Sequence, residues 1–279
     1  MSGPKGTGTD WRMDGQLLLI CLLTASINLI GSLAYAARIA GIRTGRIAMS
    51  FALFNILVLV SRMSNSFLGP FLAKRIETRI LTGGGEALAG DFRLVLASAS
   101  LAVLVGILLV PTAQRLFVRA IGWFRRNRST ARQVLRTASP SGLAAIREAI
   151  TIPSVSHLKN LARPKAMGWG LLMANMLAQA LITVGVLASL YAGYLNPEFR
   201  VTASQLSAVV NGFATILLFA LIDPQLSVMT DDVVEGRMDE VSFRKVIVWV
   251  SLSRLAGTMM AQALFLPAAL AIAWVANYV

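Results

Sequence analysis

Two arginines in the sequence lie inside long apolar stretches. Arg62 is the only charged residue between positions 47 and 72, and Arg254 is the only one between 246 and 279. A guanidinium group is costly inside a bilayer, so it usually faces a water-filled cavity or an acidic partner. One interpretation is a structural ion pair with Asp223, the nearest candidate acid. The other is an anion site, because the planar guanidinium group suits phosphate oxygens.

Uncharged polar residues recur in the same stretches at the spacing of one helix face. Side chains four residues apart lie on one side of a helix. The first stretch carries Thr24, Asn28 and Ser32. The second carries Asn55, Arg62 and Ser66, with Asn65 nearby. The last three carry Asn175, Gln179 and Thr183, then Ser207, Asn211 and Thr215, and then Arg254, Thr258 and Gln262. Hydrogen bonds between helices explain any single stripe. Five stripes together predict a polar groove at the centre of a helix bundle, with the third stretch more peripheral.

Three further arginines, Arg38, Arg43 and Arg46, follow the first apolar stretch, where lipid phosphates are expected. A bias of positive charge toward the cytoplasmic side explains them equally well. The predicted substrate-binding set joins these positions to the stripes. It consists of Arg38, Arg43, Arg46, Arg62, Arg254, Asn28, Asn55, Asn65, Asn175, Gln179, Asn211 and Asp223.

Sequence motifs for other kinds of chemistry are missing. The glycine run at 83–85 lacks the Gly-Lys-Ser/Thr of a nucleotide-binding loop. His157 and Cys21 are the only residues of their types, so we expect no metal site and no cofactor. Acidic residues at 231–240 could hold magnesium on a diphosphate, but prenyl-transfer enzymes need a second such cluster. The sequence predicts instead that Asp232 caps a short helix. We therefore expect a protein that is not an enzyme.

The elements that must position these residues are membrane-spanning helices. The 279-residue chain is 56% hydrophobic and 14% charged, whereas soluble domains carry about 25% charged residues. Six stretches can each supply the roughly 20 residues that cross a bilayer core, where backbone must be helical. They span residues 16–37, 47–69, 94–112, 168–193, 204–222 and 246–275. The predicted fold class is all-α, a polytopic membrane helix bundle with one transmembrane domain at 16–279 after a tail at 1–15.

A basic connector at 113–165 separates the third and fourth predicted helices. Residues 115–165 hold eleven Lys or Arg against a single acid, Glu148. The positive-inside rule therefore places the connector in the cytoplasm, and the N-terminus, the 73–93 loop and the C-terminus outside. Aromatic residues and arginines mixed at 114–128 predict an interfacial helix that contacts anionic lipids, and Ser139-Pro140 predicts another helix start. Positive charge that only sets the orientation in the membrane explains the basic residues equally well. No nucleic-acid-binding module surrounds these arginines.

Two parts of the sequence carry a family resemblance. The first contains ARIAGIRTGRIA at 37–48, FALFN at 51–55 and SRMSN at 61–65. The second contains DPQLSVMTDD at 223–232 and SRLAGT at 253–258. Together they resemble the Amj family, the "alternate to MurJ" lipid II flippases of bacteria. The resemblance implies a multi-pass protein of the cytoplasmic membrane that moves lipid II, whose pyrophosphate the arginines would bind.

The leading hypothesis is a flippase that exposes a polar, arginine-containing central groove alternately to the two sides of the membrane. A small organic-anion or ion-coupled secondary transporter is the main alternative, because the same stripes and arginines would serve a small anion. A membrane-embedded enzyme acting on phospholipids or prenyl diphosphates and a non-catalytic membrane partner stay open as well. Since six helices make a small bundle around a bulky sugar–peptide head, we expect a homodimer.

Overall fold

The computed structural model describes residues 14–126, 148 and 167–279. Long helices make up almost all of these ranges. They are α1 (Gly15–Thr44), α2 (Ile47–Leu81), α3 (Leu88–Arg126), α4 (Trp169–Leu195), α5 (Arg200–Val234) and α6 (Glu240–Val275), with a 3₁₀ turn at Gly85–Ala87 before α3. The tail up to residue 13 and most of the basic connector, including Ser139, Pro140 and His157, lie outside the described residues.

All six helices are long and apolar enough to cross a membrane, which confirms the predicted fold class. Several boundaries differ from the prediction. The expected loop at 73–93 is largely helical, because α2 ends at Leu81 and α3 begins at Leu88. The expected interfacial helix at 114–128 is the continuation of α3 as far as Arg126. Hydropathy marks the hydrocarbon-crossing part of a helix, whereas the helix itself continues to where its charged side chains meet water or a partner.

Helix ends coincide with capping residues. Asp14 caps α1 by accepting a hydrogen bond from an amide of the first turn at 2.8 Å. The same helix ends at Gly45, whose backbone lies in the left-handed region at φ 64°. Asp239 caps α6 in the same way as Asp14, at 2.9 Å. The prediction that Asp232 caps a helix is wrong, because this residue lies in the last turn of α5.

Helix α5 changes its winding near the middle. A π-helical turn at Leu217–Ile222 lies between the α-helical parts Arg200–Ile216 and Asp223–Val234. Pro224 follows this turn, and its ring nitrogen has no hydrogen to donate to the turn before it. The missing hydrogen bond permits the wider winding, which in proteins is frequent at functional sites.

The bundle consists of two three-helix halves with the same internal packing. Helix α1 packs along both α2 and α3, and α4 packs along both α5 and α6. Across the halves, α3 packs on α6, α2 reaches α4, and α5 reaches α1. Because each half crosses the membrane three times, the two halves enter it from opposite sides. This arrangement is an inverted repeat, as found in many secondary transporters.

The turns after α2 and α5 repeat the same backbone geometry. In the turn after α2, the amide of residue 82 donates to the carbonyl of residue 78, that of 83 to 80, and that of 84 to 79. In the turn after α5, the amides of 235, 236 and 237 donate to the carbonyls of 231, 233 and 232 with the same offsets. Gly83 and Gly236 occupy equivalent left-handed positions, at φ 72° and φ 76°. We call the two ends of the bundle the α2–α3 end and the α5–α6 end after these turns. The basic connector belongs to the α5–α6 end, where α3 finishes and α4 begins.

Two large hydrophobic clusters hold the bundle together, one at each end, and a small third cluster of Ala36, Val110 and Ala113 packs α1 on α3. The cluster at the α2–α3 end draws on all six helices, and the rings of Phe92, Tyr191 and Phe265 meet there with centroids 5.1 to 6.0 Å apart. The cluster at the α5–α6 end includes Tyr35, Phe54 and other side chains from both halves. Polar side chains occupy the space between the two clusters.

Candidate functional site

The polar stripes meet in a cavity of about 180 Å³ between the two halves, which we call the central cavity. Helices α1, α2, α4 and α5 line it, together with one residue of α6, and no described residue of α3 does. Its polar lining consists of Thr24, Asn28, Tyr35, Ser61, Arg62, Asn65, Gln179, Thr183, Asn211, Thr215, Asp223 and Arg254. The third helix therefore lies outside the cavity, as its scattered serines predict.

Arg62 reaches the cavity from α2. Its guanidinium carbon lies 5.4 Å from the centre of the Phe219 ring on the π-helical turn of α5. Such a cation–π contact contributes about 0.5–1 kcal/mol at an exposed site. Among residues 14–126, 148 and 167–279, no acidic side chain forms an ion pair with Arg62. Its positive charge is therefore available to an anion in the cavity.

Arg254 reaches the cavity from α6 and occupies space that Gly31 on α1 leaves free. A Cβ atom at position 31 would lie only 2.4 Å from an Nη atom of Arg254. The guanidinium group lies beside the Tyr35 hydroxyl. Its buried Nε atom has no hydrogen-bond partner in the described part of the chain, and no acid there pairs with the group. Arg254 is thus a second uncompensated charge.

Three uncharged side chains of the lining also present unpartnered atoms. Thr24 Oγ1, Gln179 Nε2 and Asn211 Oδ1 are buried without a hydrogen-bond partner in the described residues. An unsatisfied buried polar atom costs about 1–3 kcal/mol. Proteins therefore fill such places with water or a ligand. The cavity offers hydrogen-bond donors and acceptors from both halves.

Asp223, at the α5–α6 end of the cavity lining, belongs to a buried ion pair. Arg38 on α1 donates to Asp223 Oδ1 and to Ser227 Oγ on α5, each at 3.1 Å. The Arg38 guanidinium carbon lies 4.9 Å from the ring centres of Phe51 and Phe54. The interpretation that Asp223 pairs with Arg62 or Arg254 is therefore wrong, because its partner is Arg38.

The cavity lacks a backbone wall between α2 and α5. In the part of the chain that the structure describes, no Cα atom of α2 lies within 8 Å of a Cα atom of α5. These two helices are also the least buried of the six, with 11% of the most apolar segment of each buried. Side chains such as Arg62 and Phe219 cross the space, so side chains and not backbone close the cavity on this side.

Comparison with known proteins decides the family. The sequence profile of the family described as Alternate to MurJ (Amj) matches residues 23–276. This chain belongs to the Amj family. It is 37% identical over 267 residues to the protein named Lipid II flippase Amj of Bacillus subtilis (strain 168), a match that covers 94% of this chain and 97% of the relative. No solved structure matches. The six helices and the family together support a multi-pass protein of the inner membrane, and a transporter rather than an enzyme.

The central cavity of this Amj-family chain brings together more than half of the predicted substrate-binding residues. Those that line it are Asn28, Arg62, Asn65, Gln179, Asn211, Asp223 and Arg254. Asn175 lies elsewhere, because it donates to the Ser253 hydroxyl at 2.6 Å and joins α4 to α6. Asn55 is exposed outside the cavity lining.

The predicted group of Arg38, Arg43 and Arg46 is not one site. Arg38 is buried and pairs with Asp223, which lines the cavity. Arg43 pairs with Glu240 at 2.8 Å, close to the start of α6. Arg46 is exposed at the start of α2. Burial and pairing therefore separate residues that are close in sequence.

An ion cluster at the α2–α3 end of the Amj-family chain was not predicted from the sequence. Arg75 on α2 pairs with Asp14 and, at 2.9 Å, with Asp91 in the first turn of α3. Arg79 also pairs with Asp91, at 3.2 Å. We call these four residues the terminal ion cluster. The available signal was the position of each acid at the start of an apolar stretch, which is typical of a helix start.

The acidic sequence at 231–240 has a structural explanation. Asp232 and Glu235 both pair with Arg237 in the turn after α5. Within the described ranges, no group of three or more His, Cys, Asp or Glu side chains is arranged to hold a metal ion.

Proposed function

We propose that this chain is a flippase that moves lipid II from the cytoplasmic to the outer leaflet of the membrane. The Bacillus subtilis relative carries the name Lipid II flippase Amj. The observation that carries the proposal is the central cavity, which has two uncompensated arginines and no backbone wall between α2 and α5. A flippase needs a polar path for the head group of its substrate and a side opening through which the tail stays in lipid.

The chemistry of lipid II matches the lining of the cavity. Its pyrophosphate lies between a polyprenyl tail and a sugar–peptide head. Arg62 and Arg254 bind the pyrophosphate in this proposal, because hydrogen bonds to charged groups contribute about 1.5–3 kcal/mol each. The unpartnered atoms of Gln179 and Asn211 bind water or the first sugar. The tail leaves the cavity between α2 and α5.

The α5–α6 end faces the cytoplasm in this proposal. The eleven basic residues at 115–165 belong to this end, and the positive-inside rule favours that side. Anionic lipid head groups are proposed as partners of this basic sequence. The inverted repeat supports alternating access, in which the halves open the cavity first to the α5–α6 end and then to the α2–α3 end.

A homodimer is proposed for the working unit. The cavity volume of about 180 Å³ is below the roughly 300–1,000 Å³ of pockets for drug-sized ligands, so most of the sugar–peptide head must extend outside it. A second copy would shield the extended head group. Mass measurement in detergent tests this, and a purified monomer that flips lipid II after reconstitution would contradict it.

The experiment that tests the function measures lipid II on the outer leaflet of bacteria that lack their own lipid II flippases. We expect the native chain to expose lipid II, and Arg62→Ala and Arg254→Ala to reduce exposure about tenfold or more, because each loses about 1.5–3 kcal/mol of binding free energy. The matched control is Arg93→Ala, which removes an exposed arginine of α3 outside the cavity lining.

The small cavity volume favours one other candidate, a transporter of small organic anions. That function predicts uptake of a labelled anion without any change in lipid II exposure. If the native chain inserts normally and exposes no lipid II, the flippase proposal is contradicted and the anion transporter takes its place. If Arg93→Ala loses as much exposure as Arg62→Ala, the cavity is not the site of transport.

A further inference from the structure

The ion pair between Arg38 and Asp223, beside the central cavity, can do more than hold α1 to α5. We propose that Arg38 and Asp223 form a gate at the α5–α6 end, which opens when the substrate pyrophosphate replaces Asp223 as the partner of Arg38 and Asp223 takes up a proton. This inference rests on the proposed function and adds to it a proton-binding site and a third phosphate-binding arginine.

The two partners differ in exposure. Only 2% of the Arg38 side chain is exposed, against 20% of the Asp223 side chain. The Arg38 guanidinium lies between two aromatic rings of α2, so it cannot remain there without an anionic partner. Its Nε atom has no hydrogen-bond partner among the described residues. Asp223 lines the cavity and Arg38 does not, so a pyrophosphate in the cavity meets Arg38 as the carboxylate moves aside.

The position of the pair suits a gate. In the described residues, α5 comes close to α1 only through its last part, Asp223–Val234. Asp223 is the first residue of that part, directly after the π-helical turn and before Pro224. The hydrogen bonds that Arg38 donates to Asp223 and Ser227 are thus the polar link between these helices. When they break, the polar link is lost, and apolar packing in the cluster at the α5–α6 end still holds the end of α5.

The surrounding charges explain why a proton is needed. The titratable side chains that line the cavity are Tyr35 on α1, Arg62 on α2, Asp223 on α5 and Arg254 on α6, and α4 contributes none. A pyrophosphate beside Asp223 places anions next to each other, which favours protonation of the carboxylate. A carboxylate that has lost its guanidinium partner in apolar surroundings also neutralises rather than staying charged. The proton comes from water at the α5–α6 end and is released when the pyrophosphate leaves and Arg38 returns.

The test uses the purified chain in vesicles of phosphatidylethanolamine and phosphatidylglycerol with fluorescent lipid II. Flipping rates are measured with both sides at about pH 6 and then at about pH 8. We expect the native rate to rise as pH falls, by up to about tenfold per pH unit for one proton. Asp223→Asn should flip with a rate that changes less than about twofold over the range, because an amide carries no charge and takes up no proton.

Two control variants isolate the gate. His157→Gln removes the only histidine, the residue type that normally titrates in this range, and should keep the native pH dependence. Ser227→Ala removes a neutral partner of Arg38 and should also keep it. Loss of the pH dependence in His157→Gln would assign the proton to His157 and overturn the proposal.

The outcomes separate this inference from the proposed function. Flipping by the native chain at a rate independent of pH, or an unchanged pH dependence in Asp223→Asn, would overturn the gate alone. No flipping by the native chain would contradict both. If Asp223→Asn fails to fold, calorimetry of lipid II binding to the native chain in two buffers of different ionisation enthalpy decides the matter. Proton uptake on binding supports the gate, and its absence overturns it.

Discussion

Arginine is used differently in the terminal ion cluster and in the central cavity. In the cluster, Arg75 is buried between two carboxylates, those of Asp14 and Asp91. In the cavity, Arg62 and Arg254 have no acidic partner among the described residues. A charged residue in an apolar helix is therefore not by itself a sign of function. The informative feature is whether the chain supplies the partner or leaves that place to a ligand.

The cluster also distinguishes the two halves of the inverted repeat. It joins the start of α1, the end of α2 and the start of α3, so the first half is fixed at the α2–α3 end. The equivalent turn of the second half carries Arg237, whose side chain is 61% exposed although it pairs with two acids. Exposed ion pairs contribute little, typically about 0–1 kcal/mol. The second half is therefore held less firmly at its own turn.

The largest effect is expected from Asp91→Asn. This change leaves buried Arg75 and its neighbour Arg79 without their shared carboxylate. Breaking a buried ion pair costs about 3–5 kcal/mol of unfolding free energy. We expect a clear fall in the melting temperature of the detergent-solubilised protein, measured by fluorescence-detected size exclusion.

The control for this change is Glu240→Gln, which removes the partner of Arg43. Both side chains of that pair are about one-third exposed, so the cost should stay below about 1 kcal/mol. If Asp91→Asn melts at the same temperature as Glu240→Gln, the cluster does not hold the first half, and the contrast between the two regions disappears.

An intermediate effect, on transport rather than on stability, is expected from Gly31→Ala. The added methyl group overlaps an Nη atom of Arg254 and must displace it. A misplacement of about 1 Å in a binding group can lower a rate by up to about 100-fold, so we expect lipid II flipping to fall about tenfold or more. Overpacking costs about 1–3 kcal/mol, so the protein should still fold.

Gly69→Ala is the matched control, because a methyl group at position 69 meets nothing within 4 Å. It should flip lipid II at the native rate in the vesicle assay. Native flipping by Gly31→Ala would show that the place of Arg254 in the cavity is irrelevant to transport, and would weaken the distinction between paired and unpaired arginines.

The smallest effect is expected on the stability of the terminal ion cluster when the pH is lowered. Burial raises the pKa of Asp14, but hydrogen bonds from Arg75 and the Leu17 amide outweigh it, so this pKa lies below its ordinary value of 3.8. Because the pKa of Asp14 is lower in the folded chain than in the unfolded chain, the ionised carboxylate stabilises the fold at pH values above its ordinary pKa. This stabilisation is lost as the pH falls through the lowered pKa. Because the Asp14 side chain is 49% exposed, we expect less than about 1 kcal/mol.

Melting temperatures of the native chain and of Asp14→Asn test this expectation. The native chain should melt slightly higher at about pH 7, and the difference should shrink at about pH 3. A difference that stays constant between the two pH values would mean that the ionisation of Asp14 does not contribute to stability.

The helices and the convergence of the stripes were predictable, because both follow from local spacing. A span needs about 20 apolar residues, and residues four apart share a face. Partner choice was not predictable in this way. Arg38 and Asp223 are 185 positions apart, so their pairing depends on how α1 meets the end of α5. Asn175 continues the stripe of Gln179, but it lies one turn nearer the α5–α6 end, where α4 packs on α6.

The helix ends were missed for a related reason. Arg75 and Asp91 interrupt the hydropathy pattern and resemble loop residues in sequence. In the folded chain they neutralise one another, so the helices continue through them. A charge therefore ends an apolar stretch in sequence without ending the helix.

The inverted repeat has a consequence for how the chain enters the membrane. Two similar three-helix units must be inserted in opposite orientations, so the loops within them cannot both follow a strong positive bias. Apart from Arg62, Arg254 and the connector, basic residues divide almost evenly, with six at the α5–α6 end and seven at the other. The connector then supplies nearly all of the orientation signal. By the positive-inside rule, we expect its synthesis between the two units to fix the orientation of the first three helices, and the opposite orientation of the last three follows.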